Sequence, residues 1–530
     1  MSFVSVEFLL FCIATFFLYY CFPLKLRWIV LLIASLVFYW IFSGWLILYI
    51  LITTFIIFGS GLWIQKYNDE FAQKRKQIEK SERKVLKAAY KKKKKVVVAI
   101  ASVLIIGTLA LLKYFNFVGS ILNGIASAAG ASSIVPIIDF VLPLGISYYS
   151  LMAVSYVVDV YRGTNKADKN YFRLLLFLIY FPHIVEGPFG RYHLLSNQLY
   201  NGNKFNYENA KKASLLILWG YFKKLVIADR CAIYVNEVFN YSDNYGGVTV
   251  IFAITLYTFE IYMDFSGCID IVTGVSGLFG VKLSENFRRP FFSKSVDEFW
   301  RRWHITLGAF FRDYIFYPVS MTKAFAKIDG FCNKKLKGNI KSVIPLAYSL
   351  FFVWICNGLW HGASFKYIAY GMYYYLIMIV AQLCRPLSDK VLTKLHIQRE
   401  SKGYSLFQIL RTTIFVFIGM LIFRADSLSH AVKMLKTVVS GFSINVSSIT
   451  APMVSTGMNK ISFIFIGILF LFILTIGVLQ EKKGIVFTER IIALPIVAQW
   501  CVFIVAILSI LILGIYGAGY DASSFIYGQF

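Results

Sequence analysis

Two histidines stand in clusters of aromatic and charged residues that interrupt long apolar stretches of the chain. His304 ends the run Asp297-Glu-Phe-Trp-Arg-Arg-Trp-His304, and His361 lies within Asn357-Gly-Leu-Trp-His-Gly-Ala-Ser364. An ionisable side chain is costly at membrane depth, so such a residue is by default a candidate functional site. The pair therefore predicts acid–base chemistry carried out inside a membrane protein.

His361 has the sequence surroundings of a catalytic base. It follows a long apolar segment and lies between Gly358 and Gly362, which allow a backbone or a substrate to approach closely. Burial disfavours the charged imidazole, and a neutral imidazole can take a proton from a hydroxyl and return it to a leaving group. The alternative is a core histidine bonded to a carbonyl. The membrane cost and the second histidine favour catalysis.

His304 is expected to lie on a short amphipathic helix. Ser295 and Glu298 have the spacing of a capping box, which predicts that the helix begins at Ser295. Trp300 and His304 are four residues apart and would share a face of that helix. The alternative is a segment that only anchors the chain at the membrane interface. Anchoring suits Trp300 better than His304, which leads into another apolar stretch.

Other side chains that could bind or react are sparse in the apolar segments. Asp264 and Asp313 are expected to pair with Arg or His, and a purely structural ion pair remains open for both. Neither His304 nor His361 has a Cys or carboxylate at a usual ligand spacing, so no metal site is predicted. The eight cysteines form no CxxC pair, which favours simple packing.

The elements that would position these residues are membrane-spanning helices. The chain is 58% hydrophobic and only 15% charged, where soluble domains carry about a quarter charged residues. Apolar stretches of spanning length recur, which predicts an all-α polytopic integral membrane protein with eleven to thirteen transmembrane helices and re-entrant segments. The first apolar run lacks a basic leader, so it is expected to remain in the mature protein.

The charge pattern predicts the orientation of the chain. Residues 66–95 hold thirteen Lys and Arg against four Asp and Glu, and residues 282–302 and 323–341 are also basic. The positive-inside rule places such loops in the cytosol, where they would meet anionic lipid head groups rather than nucleic acid. With three spans before residue 66, the N-terminus is expected outside. The lightly charged segment 426–460 suits the outer face.

Two apolar segments contain Pro and Gly and are too irregular for simple spans. They are 143–149 and 181–189. Irregular backbone at membrane depth must be shielded by protein or line a watery cavity, so both are expected to line a central cavity. One integral membrane domain over residues 1–530 is the expected organisation.

Eight distinctive runs lie in the middle of the chain, at 145–149, 158–163, 181–188, 263–267, 285–290, 299–304, 311–314 and 358–363. In these runs the chain resembles the membrane-bound O-acyltransferases, in particular the bacterial branch of alginate O-acetyltransferase and teichoic acid D-alanyl transfer proteins. Phe423-Arg-Ala-Asp426 and the C-terminal spans ending at Phe530 are more similar to the alginate type.

The resemblance implies a fold and a reaction. It implies helices around a central funnel or tunnel, a family core of about 96–425 and extra spans at about 461–516. It also implies that His361 is catalytic and that His304 assists it. An acyl thioester, either acetyl-CoA or an acyl carrier, would arrive from the cytosol. The acyl group would leave outside, often through a secreted or membrane-anchored esterase-like partner.

From these runs we expect a substrate site around the two histidines, with no bound cofactor. Asn357 or a backbone N–H near Gly362 is expected to stabilise the oxyanion. The acceptor would be a polysaccharide of the cell wall or a secreted polysaccharide. D-alanyl transfer to teichoic acid and a transporter of lipid-linked sugars are the alternatives. The side chains expected to contact substrate are Asn357, Trp360, Trp303, Arg302, Asp264 and Asp313.

Overall fold

All regular structure that the computed structural model describes, in residues 3–441 and 446–516, is helical. Within those residues the one bridge between extended segments joins Phe287 to Trp303. The predicted all-α polytopic membrane protein is therefore confirmed. The chain end around Phe530, which contributed to the resemblance, lies outside the described residues.

The described residues form twenty-two α-helices and two π-helical segments. The π-helical segments are Phe222–Ala228 and Arg312–Phe316. The α-helices, in chain order, are α1 Val6–Cys21, α2 Arg27–Ser43, α3 Ile47–Gln77, α4 Arg83–Ala128, α5 Ile146–Arg162, α6 Tyr171–Ile179, α7 Tyr192–Tyr200, α8 Tyr207–Tyr221, α9 Asp229–Asn240, α10 Gly247–Leu278, α11 Val296–Arg302, α12 Ile305–Phe311, α13 Tyr317–Ser320, α14 Lys323–Lys335, α15 Ile340–His361, α16 Phe365–Lys394, α17 Lys402–Arg424, α18 Leu428–Ser440, α19 Val446–Thr456, α20 Lys460–Lys483, α21 Phe487–Ile492 and α22 Ile496–Leu513.

Eight helical stretches of the described chain are long and apolar enough to cross a membrane. The first, residues 24–77, joins α2 and α3, and Gly44 separates them with a φ of 48°. A left-handed backbone is costly for any residue with a Cβ, which explains the glycine. The helix α1, with 16 residues, is shorter than these stretches. The expected eleven to thirteen spans would have to include such shorter segments, and that number stays a prediction.

The chain divides into two compact units. The first holds residues 1–214 and 272–284, and the second holds residues 215–271 and 285–530. In the first unit, residues 181–190 are irregular and almost entirely buried, as expected for polar backbone shielded by protein. Their role as a cavity wall and the single-domain organisation stay predictions.

The second unit holds both candidate histidines in an aromatic core. Helices α15 and α16 pack so closely that a Cβ on Gly358 would lie 2.4 Å from the carbonyl oxygen of Tyr367. A Cβ on Gly371 would lie 2.3 Å from the carbonyl oxygen of Trp354. Only glycine permits such contact between backbones. This close packing fixes the end of α15, where His361 lies.

Candidate active site

His361 is the last residue of α15 and is enclosed by aromatic rings. Its side chain is 3% exposed, and its ring centroid lies 4.9 Å from that of Trp360 and 5.1 Å from that of Phe423. Tyr367 and Tyr370 on α16 complete the enclosure. The next residue, Gly362, leaves no room for a Cβ, which would lie 2.4 Å from the ring of Tyr367. The predicted burial and close approach at His361 are therefore present.

His304 is not on the predicted helix. The helix α11 does begin after Ser295, whose hydroxyl accepts a hydrogen bond from the N–H of Glu298 at 3.1 Å. It ends at Arg302, however, and His304 has a left-handed backbone with a φ of 47°. The expectation that Trp300 and His304 share one helical face is therefore wrong.

A backbone pairing explains why the chain leaves the helix before His304. The N–H of Arg288 donates to the carbonyl of Arg302 at 2.9 Å, and the N–H of Ile305 donates to the carbonyl of Asn286 at 3.0 Å. These bonds pair residues 286–288 with residues 302–305, in competition with further helical bonds. Because the partner strand is distant in sequence, the local helical pattern could not reveal the pairing.

Asn286 holds the imidazole of His304 and fixes its tautomer. Its side-chain oxygen accepts from the N–H and the hydroxyl of Thr306, at 3.1 and 2.8 Å. The backbone N–H can only donate, so this amide atom is the oxygen. Nδ1 of His304 lies 3.1 Å from that oxygen and must therefore carry the ring proton. Nε2 is then the ring acceptor.

His304 is buried, with 5% of its surface exposed, and lies outside the eight spanning stretches. Burial lowers the pKa of His304 to about 3, so the ring is neutral at physiological pH. A neutral imidazole with a fixed tautomer can accept a hydrogen bond or a proton at a defined atom. This suits a group that assists a proton transfer.

The indole of Trp360 lies against both histidines. Its ring centroid is 5.7 Å from that of His304 and 4.9 Å from that of His361. The two imidazoles thus reach one aromatic side chain from different elements, although 57 positions separate them in sequence. The structure brings together three of the expected site residues.

Asn357 lies one turn before His361 on the same side of α15. Its side chain is buried, and its oxygen has no hydrogen-bond partner among the described residues. A buried amide that is not fully bonded within the protein is available to a substrate. Asn357 is thus a fourth expected residue, and it lies beside His361.

The other expected substrate contacts have partners of their own. Trp303 is 2% exposed, and its ring stacks on that of Phe299 within the aromatic core. Arg302 forms ion pairs with Glu298 at 2.7 Å and with Glu481 of α20 at 2.9 Å. Trp303 therefore packs in the aromatic core, and Arg302 links two helices by an ion pair. Substrate binding by Trp303 and Arg302 stays a prediction.

The two aspartates differ in their partners. Asp264 lies in α10 and pairs with the buried Lys224 at 2.6 Å, rather than with the expected Arg or His. Asp313 pairs with its neighbour Arg312 at 2.9 Å, as expected. Lys224 belongs to the π-helical segment and also pairs with Asp229, at 2.9 Å. Residue types alone gave no signal for this lysine, which lies in a short amphipathic run.

The arrangement is that of a multi-pass membrane protein in which two imidazoles, an indole and an amide form a candidate acid–base site. In the described residues no three His, Cys, Asp or Glu side chains group as metal ligands would. The site elements come from the loop before α11, the start of α12 and the end of α15.

Comparison with known proteins identifies the family. The model of the MBOAT, membrane-bound O-acyltransferase, family matches residues 108–329, which include His304. The chain is 30% identical to the teichoic acid D-alanyltransferase of Bacillus subtilis over 54% of this chain and 70% of that protein. It therefore belongs to the membrane-bound O-acyltransferase family.

Two acetylases are also similar. The protein named Probable alginate O-acetylase AlgI from Pseudomonas putida is 30% identical over 61% of this chain and 60% of its own length. The peptidoglycan O-acetyltransferase of Helicobacter pylori is 27% identical over 57% of this chain and 58% of its own length. The match thus spans less than two thirds of either acetylase.

Replacing Asn286 should slow the reaction without touching either imidazole. The Asn286→Ala change removes the acceptor that orients His304, and a displacement of about 1 Å can cost about 100-fold in rate. We expect a drop in kcat of about that size, measured as acyl transfer by the purified protein.

The matched control for this prediction is Thr306→Val. It removes one hydroxyl bond to Asn286 but keeps the bond between Asn286 and His304. It should retain most of the activity. Equal losses in the two variants would contradict a positioning role for Asn286.

Proposed function

We propose that this chain is an O-acyltransferase that moves an acyl group, most simply acetyl, from a cytosolic thioester to a hydroxyl acceptor outside. The observation that carries the proposal is that two buried imidazoles meet one indole, at Trp360. Membership of the O-acyltransferase family supports it. His361 and His304 are the proposed catalytic residues.

In the proposed reaction His361 is the general base. Its imidazole takes the proton of the acceptor hydroxyl while the hydroxyl oxygen attacks the thioester carbonyl. Asn357, one turn away, donates its amide N–H to the oxyanion after its amide turns so that the N–H takes the position of the unpartnered oxygen. The C–S bond then breaks, the leaving sulfur takes the proton from His361 and departs as a thiol, and His361 returns to its neutral form. His304 orients the reacting groups through Nε2.

The names of the similar proteins suggest which acceptor and which donor to propose for this chain. The similar acetylases are named for alginate and for peptidoglycan, so we infer a cell-envelope or secreted polysaccharide as the final acceptor. Acetyl-CoA is the proposed donor, and an esterase-like protein outside the membrane is the proposed partner. The basic segments 66–95 and 323–341 support the proposal that the donor side is cytosolic and the N-terminus outside.

A second candidate function is D-alanyl transfer to teichoic acid from a carrier-protein thioester. One observation favours it: the chain covers 70% of the teichoic acid D-alanyltransferase, a larger share than of either acetylase described above. The chemistry at His361 would be the same, with a different acyl group and acceptor.

Thiol release tests the proposal. The purified full chain is incubated with acetyl-CoA or with a D-alanyl carrier protein, with and without a hydroxyl acceptor, and free thiol is followed. We expect release that depends on the acceptor. Thiol release from the D-alanyl carrier protein but not from acetyl-CoA would show that the reaction is D-alanyl transfer. No release with either donor, together with movement of lipid-linked sugars across liposomes, would establish a transporter instead.

A further inference from the structure

A second group of reactive side chains lies in the second unit, away from His361. Residues 240–244, at the end of α9 and directly after it, face Ser427, Ser429, His430 and Lys433 at the start of α18 across a cavity of about 490 Å³. None of the residues of the histidine site lines this cavity. Its lining includes hydroxyl, amide and charged side chains beside apolar surface such as that of Tyr241.

Ser242 and His430 line this cavity, and with the neighbouring Asp426 they have the order of a serine nucleophile, a base and an orienting acid. The hydroxyl oxygen of Ser242 lies 3.0 Å from Nε2 of His430. Nδ1 of His430 lies 3.5 Å from a carboxylate oxygen of Asp426. A triad is recognised by this geometry and these roles, and its chain order differs between unrelated folds.

The Asp426 carboxylate is not needed to cap α18. Ser427 already does so, because its hydroxyl accepts from the N–H of His430 at 3.1 Å. In this structure Nδ1 of His430 accepts from the backbone N–H of Asp426 at 3.4 Å. The carboxylate of the same residue, 3.5 Å from Nδ1, has to displace that bond before it can accept a proton from the ring. When Nδ1 donates to the carboxylate, Nε2 is left to accept the proton of Ser242.

The cavity is placed for a substrate outside the cell. The helix α17 begins next to the basic segment 390–402 and ends at Arg424, just before Asp426. Its 23 residues span roughly 35 Å, about the thickness of a bilayer. By the positive-inside rule the basic end is cytosolic, so the cavity opens on the outer face.

We propose that Ser242, His430 and Asp426 form a serine-dependent site that cleaves small carboxylic esters on the outer face. The hydroxyl oxygen of Ser242 attacks the ester carbonyl while Nε2 of His430 takes its proton. The alcohol leaves with that proton, and the acyl group stays on Ser242. Water then attacks this acyl-serine through the same base, and a carboxylic acid is released.

The neighbouring groups suit an ester of a hydroxylated molecule. Lys433 and Asp243 form an ion pair at 2.7 Å beside Ser242, and Asn240 and Asn244 offer amide donors and acceptors. Ser242 itself is 9% exposed, which keeps its hydroxyl at the cavity wall rather than in bulk solvent. This site does not depend on the proposed acyl transfer at His361.

A fluorophosphonate probe tests the site in the purified full chain. The serine oxygen displaces fluoride from phosphorus, and mass spectrometry of peptides locates the modified residue. We expect modification at Ser242, with a rate that falls by about 100-fold or more in His430→Ala. Asp426→Ala should lower the rate by a smaller factor, because Asp426 only positions His430. Ser242→Ala should also abolish hydrolysis of p-nitrophenyl acetate.

The control serine is Ser440 at the far end of α18, outside the cavity. In the Ser440→Ala protein the probe should modify Ser242 at the wild-type rate. The His361→Gln protein should keep the labelling while losing thioester turnover, so the two sites fail separately. An unmodified Ser242 in the wild-type protein, or an unchanged rate in His430→Ala, would overturn the proposal.

Discussion

The His361→Gln protein should lose acyl transfer while it remains folded. A glutamine of similar length cannot take a proton at neutral pH, and loss of a general base costs about 10²–10⁴-fold in rate. The substitution keeps a side chain among the rings of Trp360, Tyr370 and Phe423, which His361→Ala would not. Thiol release with saturating donor and acceptor measures the loss.

The control for this experiment is His193→Gln, at an exposed position of α7. It should keep wild-type turnover, and both proteins should elute alike in gel filtration. His361→Ala adds a cavity, which for a large buried side chain costs about 2–5 kcal/mol, so its lower stability must be separated from its chemistry. If the His361→Gln protein turned over at the wild-type rate, His361 could not be the general base.

The His304→Asn protein should lose about 100-fold in kcat. Asparagine tolerates the left-handed backbone that His304 adopts, at a φ of 47°, so this variant removes the imidazole without adding backbone strain. Its amide can still donate to Asn286. What it lacks is the ring acceptor, Nε2, beside Trp360. Single-turnover rates with bound donor separate this effect from weaker binding.

The pH dependence supplies an independent check on His304. Burial lowers the pKa of His304 to about 3, so its ring stays neutral as pH falls from about 8 to 5. The His304→Asn protein should therefore show the same pH profile as the wild type, at a lower rate. A change in rate near pH 6 that is present in the wild type and absent in His304→Asn would show that His304 titrates there, which would contradict the prediction that its ring stays neutral.

Local sequence rules located the start of α11 correctly. The capping box at Ser295 and Glu298 acts within four residues, so its signal is complete in the sequence. The same rules failed at the end of α11, because the bonds that stop it come from residues 286–288. For that reason Asn286, which holds the ring of His304, was not among the expected site residues.

Charge and aromatic character indicated where polar groups lie but not their partners. Arg302 was expected at the substrate and pairs with Glu481, 179 positions away. Asp264 was expected beside Arg or His and pairs with Lys224 of a π-helical segment. Partner choice depends on which helices are neighbours. Hydropathy does not encode this, since lipid-facing and core-facing apolar residues look alike in a membrane protein.

The sequence by itself determined the class of this protein. Apolar length and few charges require helices, because only internal hydrogen bonds satisfy a backbone in lipid, and His361 between two glycines marks a buried polar site. The tertiary structure decided which side chains meet. Close packing of α15 on α16 places Trp360 against His304, and a backbone pairing turns His304 out of its helix. Such contacts join residues far apart in the chain, and their energies depend on distances that only the folded chain sets.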